Sequence, residues 1–98
     1  MLNIVLVCNG GMSTSILANR IVDVGEGEVA CSAYSEQEYG AHVAGADIVM
    51  VGPQVRYLID QIKEKVGPDV PVVGINPLAY GRLNAAKILE QAKSELNK

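Results

Sequence analysis

Residues 3 to 20, NIVLVCNGGMSTSILANR, set a thiol, two glycines and three hydroxyls between an apolar run and a segment of helical spacing. A cysteine at a strand end that faces a helix start meets unpaired backbone N–H groups and the positive end of the helix dipole. Both favour the thiolate, which is the nucleophilic form. The same N–H groups cradle an anion, Gly10 and Gly11 let the backbone approach a phosphate closely, and Ser13, Thr14 and Ser15 supply further donors. Nucleophile and phosphate site thus coincide at Cys8, which suggests a phosphocysteine. The plainer alternative is that Cys8 ends a buried strand as a small apolar residue and that the glycines make a turn. Its place before Gly-Gly and a hydroxyl-rich helix start favours the chemical reading.

Two known phosphate loops do not fit. A P-loop requires G-x-x-x-x-G-K-[ST], and no lysine lies in the first helical segment. A cysteine phosphatase loop, C-x5-R, requires arginine where Thr14 stands. Without a guanidinium to hold the phosphate and stabilise hydrolysis, the loop can accept a phosphoryl group yet is poor at releasing it to water. That is the property of a carrier.

The elements that position this loop follow from periodicity. Apolar runs at 3–7, 28–33, 47–51 and 70–75 alternate with amphipathic stretches, the pattern of repeated β-α units, and continuous Val/Ile runs suit parallel strands buried on both faces. The first helix is expected to begin near Ser13, to bury Ile16, Leu17, Ile21 and Val22, and to end at Gly25 and Gly27. Ser35 and Glu38 have capping-box spacing and predict a short second helix through about Val43. Pro53 opens a third, with Val55, Leu58, Ile59, Ile62 and Val66 inward and Gly67-Pro68 as the stop. The last turns Ala85, Ile88, Leu89, Ala92 and Leu96 inward and leaves Lys87, Glu90, Lys93 and Glu95 to solvent. The expected fold is an α/β three-layer sandwich with a four-stranded parallel sheet in the order 2-1-3-4 and helices on both faces. Ligands of such sheets bind where strand order reverses, here between the first and third strands. Cys8 and the loop starting Gly52-Pro53-Gln54 share that rim.

The 98 residues, 49% hydrophobic and 19% charged, are read as a single domain over 1–98. A net charge of -3 with eight Lys and Arg argues against a nucleic-acid partner or an anionic membrane surface. No apolar run approaches the roughly 18 to 20 residues that span a bilayer. The chain is therefore read as cytoplasmic without direct membrane insertion, and Cys8 and Cys31 as free thiols.

VCNGGMSTSIL resembles the phosphorylation loop of the enzyme IIB component of the bacterial phosphotransferase system (PTS), in its lactose, cellobiose and chitobiose branch, whose pattern is close to C-[SA]-x-G-M-S-T-S. Cys8, Gly11, Met12, Ser13, Thr14 and Ser15 match, while Asn9 and Gly10 depart. ADIVMVGPQVRYLID at 46–60 and INPLAYG at 75–81 extend the resemblance over essentially the whole chain. It implies a relay. A phosphohistidine on a IIA partner gives its phosphoryl group to Cys8, which passes it to a cellobiose-, lactose- or chitobiose-like sugar bound by the membrane transporter IIC. Backbone N–H groups from Asn9 through Ser15, thus including Gly10, Gly11, Met12, Ser13 and Thr14, would hold the phosphoryl oxygens. No metal and no cofactor is implied, and the protein would be recruited to the inner face of the membrane by IIC.

Other residues carry two readings each. Tyr80, expected in the loop after the fourth strand, either reaches a phosphoryl oxygen or a partner, or packs the loop. Gln54 and Tyr57 shape the rim or a partner surface. His42, the only histidine, lies away from the expected rim and lacks a placed partner for proton transfer. Met12 and the loop at 77–81 are candidates for the IIA contact. The competing functions are a thiol redox protein using Cys8 and Cys31, a Cys-dependent phosphatase, and a binding module without covalent chemistry.

Overall fold

The Val/Ile-rich runs form four strands, β1 (Leu2–Cys8), β2 (Val29–Ser35), β3 (Ile48–Val51) and β4 (Val72–Gly74). They make one parallel sheet in the order β2-β1-β3-β4, as the sequence predicts. The computed structural model describes residues 1–9 and 12–97, with the side chains of Met12 and Ser13 outside the description. Four α-helices accompany the strands among the described residues: α1 (Met12–Val24), α2 (Ile59–Val66), α3 (Pro77–Gly81) and α4 (Ala85–Leu96).

Alternation along β1 divides the core into two layers. Ile4 and Leu6 pack with Leu17 and Ile21 of α1 and with Ile88 and Ala92 of α4. Val5 and Val7 pack on the other face with Val55, Leu58 and Ile62. Because both faces are covered, β1 and β3 read as unbroken apolar runs rather than as alternating ones.

The helices depart from expectation in instructive ways. The buried stripe of α1 is Thr14, Leu17, Ala18 and Ile21, in steps of three, one and three, while Ile16 is 45% exposed and Val22 half-buried. At about 100° per residue, a stripe running from Thr14 through Ile21 turns Ile16 away from the sheet.

The second helix does not form. Ser35 is the last residue of β2, and only a 3-10 turn at Tyr39–Ala41 follows. The Ser35 hydroxyl donates to Glu38 Oε1 at 2.9 Å, so the two residues meet side chain to side chain instead of capping a helix. Gly40 and the absence of a helical stripe leave burial of Tyr39, Val43 and Ala46 to decide the local path.

The third helix is split. Pro53–Leu58 is a 3-10 segment with Val55 at non-helical angles (φ -124°, ψ 27°), and α2 follows it. The segment at 77–81, expected as a loop, is the helix α3. Asn76 Oδ1 accepts from Leu78 N at 2.9 Å and Ala79 N at 3.2 Å, and Pro77 supplies the helical φ of the first turn.

Gly25 joins α1 to β2 by close contact. A Cβ there would lie 2.6 Å from both Cβ and Cγ2 of Val29, and these atoms sit on a strand that cannot yield cheaply. Gly25→Ala is expected to cost about 1–3 kcal/mol of unfolding free energy. Urea denaturation checks this, and an unchanged midpoint would refute the contact.

Candidate functional site

Cys8 closes β1 at the carboxyl edge of the sheet, where strand order reverses between β1 and β3. Gly52 N donates to Val7 O at 2.8 Å, which draws the first residue after β3 against the end of β1. The thiol is fully buried. A Cβ on Gly52 would lie 2.8 Å from Cys8 Sγ and 3.2 Å from Gln54 Oε1. The φ of Gly52 is an ordinary -62°, so glycine is needed for space rather than for backbone conformation.

One polar side chain meets the sulfur, and two others hold that side chain. The Tyr80 hydroxyl, on α3, donates to Cys8 Sγ at 3.7 Å, and Thr14 Oγ1 lies 3.5 Å from the phenol oxygen. A phenol has one proton; with it directed at sulfur, the Thr14 hydroxyl is the donor in the second contact. At this length that contact is weak, so it orients more than it binds. Gln54 is the third partner, through its hydrogen bond to Tyr80.

Burial is the main cause that raises the Tyr80 pKa above the usual tyrosine value. Hydrogen bonds from Thr14 and Gln54 act the other way, and Cys8 raises it further as hydrogen-bond partner and as charge. Tyr80 therefore remains a neutral donor through the physiological range. A cysteine that only ends a strand needs no such neighbours.

The other expected site residues distribute as follows. Asn9 is exposed in the bend after β1, Thr14 is 3% exposed and turned toward Tyr80, and Ser15 is exposed. Gly10 and Gly11 lie outside the described residues, as do the side chains of Met12 and Ser13, whose backbone opens α1. Cys8, Thr14, Gln54 and Tyr80 are thus brought together. Gly52 joins them, although the sequence marks it only as the start of a rim loop; a glycine directly after the strand that pairs with the cysteine's own strand is the signal it carries.

Tyr57 is 71% exposed and its hydroxyl donates to Glu36 Oε2 at 3.3 Å, away from the sulfur. His42 stacks on Tyr34 with ring centroids 4.0 Å apart, and Tyr34 packs in the Val5–Val7 layer, across the sheet from Tyr80. Cys31 stands opposite Ile4, whereas Cys8 stands opposite Ser35. Four residues of strand is roughly 13 Å, beyond the reach of a disulfide, whose Cα atoms lie within about 7 Å. Both thiols are free. Among the described residues no three potential metal ligands cluster, and no helix is long and apolar enough to cross a membrane.

Fold and site together define a class: a parallel α/β protein whose chemically equipped feature is a buried thiol at the switch point of the sheet. Solved structures share the fold. The cellobiose-specific phosphotransferase IIB component protein from Borrelia burgdorferi aligns with a TM-score of 0.74 at 33% identity, covering 98% of this chain and 92% of that one. The lactose-specific IIB component domain from Streptococcus pneumoniae aligns with a TM-score of 0.73 at 18% identity, over 95% of each chain. Residues 3–91 match the family model for the PTS system, Lactose/Cellobiose specific IIB subunit. The oligo-beta-mannoside-specific EIIB component of Bacillus subtilis (strain 168) is 31% identical over 99 residues, covering 96% of this chain and 95% of the relative.

The chain belongs to the lactose/cellobiose-specific IIB subunit family of the PTS. It is a sugar-specific IIB component with a phosphotransferase role, of the kind that works with IIA and IIC proteins.

Burial, and secondarily the charge of Cys8, pushes the Cys31 thiol from 9.0 up to about 12. The raised value means that folding favours the neutral thiol. This contribution is complete below pH 9 and is lost as pH rises toward 12, with a slope of at most about 1.4 kcal/mol per pH unit. Unfolding free energy is expected to fall more steeply between pH 9 and 11 for the native protein than for Cys31→Ala. Equal slopes would refute it.

Proposed function

We propose that Cys8 is the transient phosphoryl carrier of this IIB component. The Cys8 thiolate attacks the phosphorus of a phosphohistidine on IIA, the S–P bond forms as the N–P bond breaks, and the imidazole leaves neutral, with the proton on its other ring nitrogen. In the second transfer a hydroxyl oxygen of a sugar held by IIC attacks phosphorus, the S–P bond breaks, and the thiolate returns while the hydroxyl proton passes to a base on the IIC side. The observation that carries this reading is the buried Cys8 sulfur at the switch point with the Tyr80 hydroxyl 3.7 Å away.

Backbone N–H groups from Asn9 through Ser15 hold the phosphoryl oxygens at the start of α1, where the helix dipole favours negative charge. Tyr80 shifts its donated hydrogen bond from sulfur to a phosphoryl oxygen, and Gln54 orients the phenol. Positioning and fixed dipoles suffice for a loose in-line transition state, so neither transfer uses a metal. The absence of arginine at position 14 keeps hydrolysis slow. The sugar is a β-linked oligosaccharide, in keeping with relatives named for lactose, cellobiose and oligo-β-mannosides. The protein acts in the cytoplasm and meets IIC at the inner membrane face. Redox use of the two thiols is disfavoured by the register offset and by the raised Cys31 value.

With phosphoenolpyruvate, the general PTS proteins and cognate IIA, intact-mass analysis is expected to find one added phosphoryl group, lost in Cys8→Ser. Tyr80→Phe is expected to keep the label but to slow its formation about 10- to 100-fold, the scale of one lost charge-assisted hydrogen bond. Labelling that survives Cys8→Ser would overturn the carrier assignment; an unaltered rate in Tyr80→Phe would remove the phenol from it.

A further inference from the structure

Gln91, half-buried on α4, commits both ends of its carboxamide to the backbone on either side of Ile75. Its Nε2 donates to Gly74 O at 2.8 Å, and its Oε1 accepts from Asn76 N at 3.0 Å. The strand it meets, β4, is the outer one of the sheet, with Gly74 in register with Val51 of β3. Ile75 N donates to Val51 O at 2.8 Å, toward β3. Backbone groups of successive strand residues alternate in direction, so Gly74 O and Asn76 N face the open edge. In a parallel ladder a residue of the next strand donates to the carbonyl before its counterpart and accepts from the N–H after it. Gln91 makes both bonds with one side chain, and so closes the edge where a fifth strand would pair.

The chain that leaves this clamp is α3. Asn76, whose N–H Gln91 holds, is the N-cap: its Oδ1 takes Leu78 N and Ala79 N, and its carbonyl takes Tyr80 N at 2.9 Å. At the far end of α3, Leu83 is held at φ 51°, a conformation unfavourable to any residue with a Cβ. The short helix is therefore placed by its anchors rather than by its own preference. Three hydrogen-bonded steps lead from α4 to the thiol: Gln91 to Asn76, Asn76 to Tyr80, and the Tyr80 hydroxyl to Cys8 Sγ at 3.7 Å. The last step is the longest, so a small displacement of α3 breaks it first.

We propose that Gln91 is a positioning residue for phosphoryl transfer at Cys8, holding the Tyr80 phenol where its hydrogen bond can move from sulfur to a phosphoryl oxygen. The inference rests on the carrier reading of Cys8 and on the donor role of Tyr80. A glutamine that only closes the sheet edge supports the fold equally with or without the phenol. A positioning residue acts on the reaction through the phenol alone, and this difference can be measured.

The test compares kcat and KM for Cys8 labelling by phosphorylated IIA in the native chain, Gln91→Met, Tyr80→Phe and the double variant. Methionine keeps the length of the side chain and lacks both hydrogen bonds. Gln91→Met is expected to lower kcat about 10-fold and to leave the KM for IIA within about twofold of the native value. In the Tyr80→Phe background the same change is expected to lower kcat by less than about twofold further. If Gln91→Met loses the native far-UV spectrum, Gln91→Glu takes its place under the same criteria; it keeps an acceptor for Asn76 N but sets a carboxylate oxygen against the Gly74 carbonyl. A folded Gln91 variant with native kcat overturns the proposal, and so does an equal loss in both backgrounds, because Gln91 would then act without the phenol. Either result leaves the carrier reading intact. An unaltered rate in Tyr80→Phe overturns the proposal by removing the group to be positioned. A native chain that takes no label overturns the carrier reading, and this proposal with it.

Discussion

The hydrogen bond from Gly52 N to Val7 O fixes how closely the end of β3 approaches the end of β1, and the candidate site depends on that approach. It brings Gly52 so near Cys8 that no side chain fits between them. With that side closed, the polar contact to the sulfur is the Tyr80 hydroxyl, and the groups that hold that hydroxyl come from other elements of the rim. Tyr80 arrives from α3, Thr14 from α1 and Gln54 from the segment after β3. A buried sulfur with an apolar shell would be inert packing. What distinguishes this one is a neutral phenol held close enough to donate, and kept neutral first by its own burial.

Much of this was legible in the sequence, for identifiable reasons. Strand positions and sheet order follow from continuous Val/Ile runs and the right-handed crossover, which leave few arrangements for four β-α units. The place of Cys8 followed from its position after such a run. The missing second helix was not legible, because Ser35 and Glu38 have capping-box spacing whether or not a helix follows, and the burial of Tyr39 rather than the cap decides the path. Ile16 misled for a related reason: Thr14 buries its methyl and turns its hydroxyl to Tyr80, so a polar residue heads the inward stripe and shifts its phase. Residue type alone does not reveal a threonine with that double use.

The family assignment and the geometry answer different questions. A family model over residues 3–91 and a 31% identical relative establish what kind of protein this is. They do not say why a thiol so placed would carry a phosphoryl group instead of hydrolysing it. The difference lies at Thr14, which stands where a cysteine phosphatase has arginine and supplies a hydroxyl to a tyrosine instead of a guanidinium to a phosphate.

The position of Tyr80 is itself set from a distance. Five residues make a helix too short to persist alone, so α3 needs external anchors. Asn76 caps it from within, and Gln91 of α4 bridges the carbonyl of Gly74, at the end of β4, and the N–H of Asn76. One carboxamide thus ties the strand, the short helix and the long helix together, at bond lengths of 2.8 Å and 3.0 Å that lie in the strong range for such contacts. The phenol is in this way held over the sulfur by α4, an element that contributes no side chain to the thiol's described surroundings. Because α3 presents Leu78 outward on one face and donates the Tyr80 hydrogen bond from the other, any displacement of these five residues moves the phenol relative to the sulfur.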